Sequence, residues 1–195
     1  MLSRKLLLHD LGAGHIAVVP FDETRLRPAS YVLSLGSRFR RWHGALGSIS
    51  LWSVDACRDH LDEPFEAEEL TIMPGEFVLG CTTEKIGIAF DRYGIISPLS
   101  HISRFGLGLH GGADFINPGF GIATPTHLTL ELHNYNSSPL ALKAGMPIAH
   151  FRVGMLEGPA TTSRPHKSAY EGADPVTAPR LYEEWSGFVS VKKDV

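Results

Sequence analysis

The stretch from Ile96 to Asn134, ISPLSHISRFGLGLHGGADFINPGFGIATPTHLTLELHN, decides how this chain is read. It ends in a strictly alternating run. Leu128, Leu130 and Leu132 fall on one side of an extended strand, and His127, Thr129, Glu131 and His133 on the other, because successive strand side chains point to opposite faces. Leucine at every second position marks a face that packs on a core. A carboxylate opposite those leucines, in mid-strand, faces solvent, a subunit interface or a site. Upstream lie a Ser/His/Arg segment, Ser100 to Arg104, and a Gly-rich region of turns.

Outward from this run the chain is a series of short apolar segments separated by turn residues. Tyr31–Leu35, Arg38–Trp42, Ile49–Val54, Phe77–Cys81, Ile86–Phe90, Tyr93–Ser97, Leu107–His110 and Pro147–Val153 read as strands, with Leu70–Ile72 and Leu140–Leu142 as shorter ones. The 20 glycines and 13 prolines punctuate them, a pattern that points to an all-β sandwich or barrel. Ser3 caps a short helix running to about Leu11, which Gly12 and Gly14 stop. Leu99–Phe105 forms a second short helix, entered through Ser97-Pro98. His15–Pro20 is β-like, Phe21–Pro28 an irregular connection, and Asp55–Glu69 an acidic exposed loop. From Glu157 the composition turns to Gly, Pro, Thr, Ser and Ala. Such a segment need not pack on the core, yet Trp185 and Phe188 favour docking, and Leu181–Trp185 suits one helical turn.

The 195 residues suit one domain with arms, and 43% hydrophobic with 20% charged residues is ordinary for a chain with a sizeable core. A formal net charge of -3 gives no basic footprint for nucleic acid. Cys57 and Cys81 lack metal-site spacing and read as buried thiols in a reducing compartment. The opening MLSRKLLLHDLGAG has too short and interrupted an apolar run for a signal peptide. No run approaches the roughly 20 apolar residues of a membrane span. A cytoplasmic protein without membrane partners is therefore expected.

Several ordered pieces resemble the dCTP deaminase family of the dUTPase-like superfamily. They are Met1–Leu11, Pro28-Ala29-Ser30-Tyr31 through Leu35-Gly36, and Pro74-Gly75-Glu76-Phe77-Val78-Leu79 with Thr82 and Glu84. Further along come Ser100–Gly106 with Arg104, Ile116-Asn117-Pro118-Gly119-Phe120, Leu130-Glu131-Leu132-His133-Asn134, Gly145-Met146 and Tyr170–Arg180. Each piece is weak alone, and their common order over nearly the whole chain carries the resemblance. It implies a mainly β fold, a distorted β-barrel or jelly-roll with a short N-terminal helix, over residues 1–156. Residues 157–195 would be a C-terminal arm that closes over the site or a neighbouring subunit. It also implies a homotrimer with sites at subunit interfaces, acting on a pyrimidine deoxynucleotide.

Hydrolytic deamination of cytosine needs a water delivered to C4 and a proton for the departing ammonia, and one carboxyl group can do both. From residue type alone, Glu131 reads as a solvent-facing or interfacial ion-pair partner; the resemblance makes it the proton shuttle. Desolvation raises the pKa of such a carboxylate towards neutrality. Ser100 and Arg104, one helical turn apart on the same side, would place the water or steady the charge of the tetrahedral intermediate. Arg104 serves equally as an interfacial ion-pair partner. The resemblance further implies contact of the Ala113 main chain with the base, of Asn117 with the sugar, of His101, Lys167 and Arg180 with phosphate, and cover of the nucleotide by Tyr170. The H-x-E with P-C-x-x-C signature of zinc deaminases is missing, so zinc-free chemistry is expected, with Mg²⁺ entering on the substrate phosphates.

The chain departs from the family pattern in places. Leu99 stands where an arginine precedes the motif serine, Val32 and Asn117 where aspartates are usual, and Ala169 and Ala173 where a Lys and a Gln help hold triphosphate. The segment between Phe120 and Glu131 is longer, with Thr124-Pro125-Thr126 in the extra part. The expected reaction is dCTP to dUTP and ammonia. A dUTP diphosphatase and a non-catalytic trimeric binding module remain as alternatives on the same fold.

Overall fold

A computed structural model describes residues 1–44, 47–51, 57, 60–109, 113–158, 170 and 172–181. Helix α1 (Arg4–Ala13) begins after Ser3 and ends at Gly14, whose φ of 76° turns its N–H back to the Asp10 and Leu11 carbonyls. It runs through Gly12, so Gly14 alone does the stopping expected of both. The chain continues through β1 (Ile16–Val19), a 3-10 turn at Glu23–Arg25, β2 (Leu26–Arg27), β3 (Ser30–Ser34) and β4 (Arg38–Arg41). Then come β5 (Phe65–Glu66), β6 (Glu69–Ile72), β7 (Phe77–Ile88), β8 (Arg92–Pro98) and α2 (Ser100–Arg104). The last strands are β9 (Leu107–Leu109), β10 (Phe115–Ile116), β11 (Thr126–Asn134), β12 (Leu140–Lys143) and β13 (Pro147–Met155).

Two sheets and a ribbon share one core. The first sheet runs β5-β4-β7-β11-β9, with β1 also paired to β7; the second runs β10-β8-β13-β3-β2; β12 pairs with β6. All named pairings are antiparallel. Fully buried side chains come from both sheets, with Phe39, Val78, Leu130 and Leu132 from the first and Leu33 and Phe151 from the second. The mainly β fold with a short N-terminal helix is thus as expected. The strands form distorted sheets about this core rather than a closed cylinder.

Two expected strands are one. Phe77–Cys81 and the start of Ile86–Phe90 fuse into the 12-residue β7, and Phe90 lies outside it, exposed. The polar run between them looks like a break but is internally satisfied. The Thr82 hydroxyl donates to the Glu84 carbonyl (2.6 Å) and accepts from the Leu128 N–H (3.0 Å). The Glu84 carboxylate accepts from the N–H and hydroxyl of Ser34, both at 2.9 Å, tying the first sheet to the second. Here the β11–β7 register shifts between His127 and Thr129, so the polar residues occupy a bulge.

The strand expected at Ile49–Val54 does not form where it is described. Ile49 and Ser50 are irregular and Leu51 is exposed, while 52–54 lie outside the described residues. A strand needs a face to pack on, and among the described residues of this run Ser50 and Leu51 are exposed. Within the acidic stretch, by contrast, Phe65–Glu66 pairs with β4. A buried ion pair holds α1 to the second sheet: the Arg92 guanidinium donates to Asp10 at 2.6 and 3.3 Å. Burial pushes the Asp10 carboxyl up, but the bonds from Arg92 and His9 outweigh it and hold the pKa below its ordinary value.

Candidate active site

Strand β11 alternates without exception. Thr126, Leu128, Leu130, Leu132 and Asn134 are buried, and His127, Thr129, Glu131 and His133 are half-buried on the outer face. Asn134 locks the strand's end: its amide donates to the Ile72 and Ser138 carbonyls at 2.9 Å each. Glu131 therefore sits on a strand paired on one side with β7 and, beyond Glu131, with β9 on the other. It lies opposite Leu79, which in turn lies opposite Arg40.

Glu131 lines a concavity of about 580 Å³ with Phe77, Ser103, Leu109, His133 and Tyr135. The walls are largely aromatic and aliphatic. The His133 ring packs at 4.2 Å from the Tyr135 ring and 6.4 Å from that of Phe77. Gly108 gives Tyr135 room, since a Cβ there would run into the tyrosine ring. A carboxylate on a fixed strand beside flat apolar walls can face a planar polar ring and move protons at its edge.

The other expected residues are distributed. Ser100 and His101 open α2 and line a second concavity of about 460 Å³ with Arg25, Arg27 and His150. Leu99, not Ser100, is the N-cap of α2, so Ser100 has no capping duty. Ile102 anchors the helix in the core, and Arg104, in its last turn, is exposed. One protomer thus does not bring Glu131 together with Ser100: α2 shows Ser103 to the first concavity and Ser100 to the second. Ala113 and Asn117 are exposed on either side of β10. Lys167 lies outside the described residues, as do Ala169 and most of the expected Leu181–Trp185 turn.

The described part of the C-terminal segment docks on the outer face of the first sheet. Val176 is fully buried in a small cluster with Leu61, Leu79 and Cys81. The Thr129 hydroxyl donates to the Pro175 carbonyl at 2.7 Å, two residues from Glu131 on the same face. Arg38 grips Asp174 through Nε at 3.0 and 2.9 Å and also through Nη2. That guanidinium holds the Asp174 carboxyl below the usual carboxylate range. Tyr170 and Arg180 meet, the Arg180 N–H donating to the Tyr170 hydroxyl at 3.0 Å. Burial pushes the Cys81 thiol up to about 11, which makes it unreactive.

The motif reading missed Arg25, Arg27, His150 and the Arg38–Asp174 pair. Alternation was the available signal for three of these residues: Arg25 and Arg27 flank Leu26, and His150 alternates with the buried Ala149 and Phe151. Among the described residues no three or more His, Cys, Asp or Glu are grouped to hold a metal ion. No helix there is long and apolar enough to cross a membrane.

The family model described as dCTP deaminase-like matches residues 1–156. The chain belongs to the dCTP deaminase-like family. That membership places it among hydrolytic enzymes of nucleotide metabolism. A relative from Mycobacterium avium (strain 104), named "dCTP deaminase, dUMP-forming", is 32% identical over 95% of this chain and 97% of its own length. One of the same name from Corynebacterium kroppenstedtii is 31% identical, covering 93% of this chain and 97% of the relative. Among solved structures, a 2'-deoxycytidine 5'-triphosphate deaminase from Agrobacterium tumefaciens aligns with a TM-score of 0.60 at 16% identity. The alignment covers 79% of this chain and 48% of that one, so this chain spans about half of the solved protein, and the likeness speaks for a shared fold alone.

Proposed function

We propose that this chain deaminates the cytosine of a deoxynucleotide, dCTP, by hydrolysis without zinc, at the concavity lined by Glu131. The observation that carries this is the placement of Glu131. It is half-buried, outward on a fixed strand, beside walls that suit a pyrimidine ring. Glu131 takes a proton from a water as the water oxygen bonds to C4. The C4=N3 electron pair moves onto N3 as the water attacks. Glu131 then passes its proton to the amino nitrogen, the C4–N bond breaks and ammonia leaves, and the remaining hydroxyl proton ends on N3, so that C4 keeps the oxygen as a carbonyl. Ser100 and Arg104 of a neighbouring protomer in a homotrimer place the water and steady the intermediate's charge. That Ser100 lines a different concavity from Glu131 within one protomer supports a shared site.

In the same reading the Ala113 main chain meets the base, Asn117 the sugar, and Lys167 and Arg180 the phosphates. The docked segment around Tyr170 covers the nucleotide. In this reading Mg²⁺ enters with the substrate phosphates and screens their charge.

Two products are in play. The relatives' name gives dUMP, which needs a second hydrolysis at phosphate. An aspartate at position 117 would activate that water, but the Asn117 amide is not a base. We therefore favour dUTP as product, with dUMP as the second reading on the strength of the relatives' names. Incubation with dCTP, dCMP and dUTP plus Mg²⁺, following ammonia and pyrophosphate, decides. Ammonia alone from dCTP supports dUTP, and ammonia with pyrophosphate supports dUMP. Pyrophosphate from dUTP without ammonia supports the diphosphatase. Neither product supports a binding module and overturns the proposal.

A further inference from the structure

We propose that Arg25, Arg27 and His150 form, with His101, the subsite that receives the phosphate chain of the nucleotide. The inference rests on the deaminase reading and adds residues that the motif pattern does not supply. Two guanidiniums face the cavity of about 460 Å³, against a single carboxylate, Asp22. That carboxylate is already occupied. It accepts from the Thr24 N–H and hydroxyl at 2.9 and 2.7 Å and lies 3.7 Å from Arg25. A locally positive cavity is not a general property of a chain with a net charge of -3.

The backbone presents these groups in fixed positions. Asp22 caps the 3-10 turn that carries Arg25, and its N–H donates to the Tyr31 hydroxyl at 3.0 Å. Arg27 pairs with Ser30 across β2 and β3, and its Nη1 donates to the Thr24 carbonyl at 3.1 Å. A guanidinium has five donors in a planar fork that matches phosphate oxygens. His150 hydrogen-bonds the Ser30 hydroxyl through Nδ1 at 3.0 Å, which leaves its Nε2 edge for a ligand. Two residues on, on the same face of β13, the buried Arg152 Nε has no partner among the described residues. Burial lowers the His150 pKa, and Arg152 and Arg27 add to it as nearby positive charges.

Leu99 and Val32 both line this cavity. The two positions where the family pattern has an arginine and an aspartate therefore lie together, and both are apolar. The positive charge comes instead from the connection between β1 and β3.

The test uses the full-length chain with Arg27→Ala, Arg25→Ala/Arg27→Ala and Arg27→Lys variants, each checked by thermal melting. Expected is a rise in KM for dCTP of roughly tenfold or more in Arg27→Ala, with kcat little changed and partial recovery in Arg27→Lys. Sodium tripolyphosphate should move the His150 ring resonances of the wild type and leave those of the double variant in place. An unchanged KM in the double variant, or no movement of His150 in the wild type, overturns the subsite even if ammonia is released. Movement of His150 without ammonia release from dCTP keeps the anion subsite and overturns the deaminase reading instead.

Discussion

The two concavities that share α2 are built from opposite chemistries. Around Glu131 the walls are Phe77, Leu109, His133 and Tyr135, and the carboxylate stands among rings. Around Ser100 the walls carry Arg25, Arg27, His101 and His150. The first suits a flat heterocycle and the second an anionic tail. Each holds half of what a nucleotide enzyme needs, and a single protomer keeps the halves in separate cavities. Under the proposed function, the aromatic half of one protomer meets the cationic half of the next.

The comparison can be broken most sharply at Glu131. Glu131→Gln should lower ammonia release about 10²–10⁴-fold while melting temperature and assembly stay at wild-type values. A variant with full activity would remove the assigned role. Leu130→Ala, one residue away on the opposite face of β11, should do the reverse. Its side chain is fully buried, so denaturant titration should show a loss of about 2–5 kcal/mol, with activity per folded molecule retained. If Leu130→Ala instead lost activity at full stability, the division between the strand's two faces would fail.

Smaller effects sharpen the cationic side. The His150 pKa is lowered in the fold, so below the unfolded value of about 6.5 the unfolded chain takes up the proton first. Stability from this group is present above that value and is lost as pH falls through the folded pKa. Melting temperature should therefore drop from pH 7 towards pH 5, and less steeply in His150→Gln; equal slopes would contradict the assignment. Smallest is Thr129→Val, which removes the bond to the Pro175 carbonyl. It should cost about 0.5–1.5 kcal/mol by denaturant titration and raise KM with kcat preserved. No change in either would mean that the docked segment does not depend on this bond.

Much of this was legible from residues. The leucine alternation of Leu128–Leu132 gave both the inner face of β11 and the outward direction of Glu131, since a period of two leaves no other arrangement. The Gly14 stop and the short α2 were legible for the same local reasons. The continuity of β7 was not, because Thr82 and Glu84 look like a loop until Ser34 and Leu128 supply their partners from distant segments. The cationic cavity was hidden for a similar reason. Arg25, His101 and His150 are separated by long stretches of chain, and the pairing of β2 with β3, of β3 with β13 and of β13 with β8 gathers them.

Subunit mixing tests the central claim most directly. Glu131→Gln and Ser100→Ala chains, each inactive alone, are unfolded, combined and reassembled, and ammonia release from dCTP is measured. A site shared between protomers predicts that activity returns in the mixture, because some interfaces pair an intact Glu131 with an intact Ser100. A mixture as inactive as its parents, in assemblies shown to contain both chains, would contradict the account.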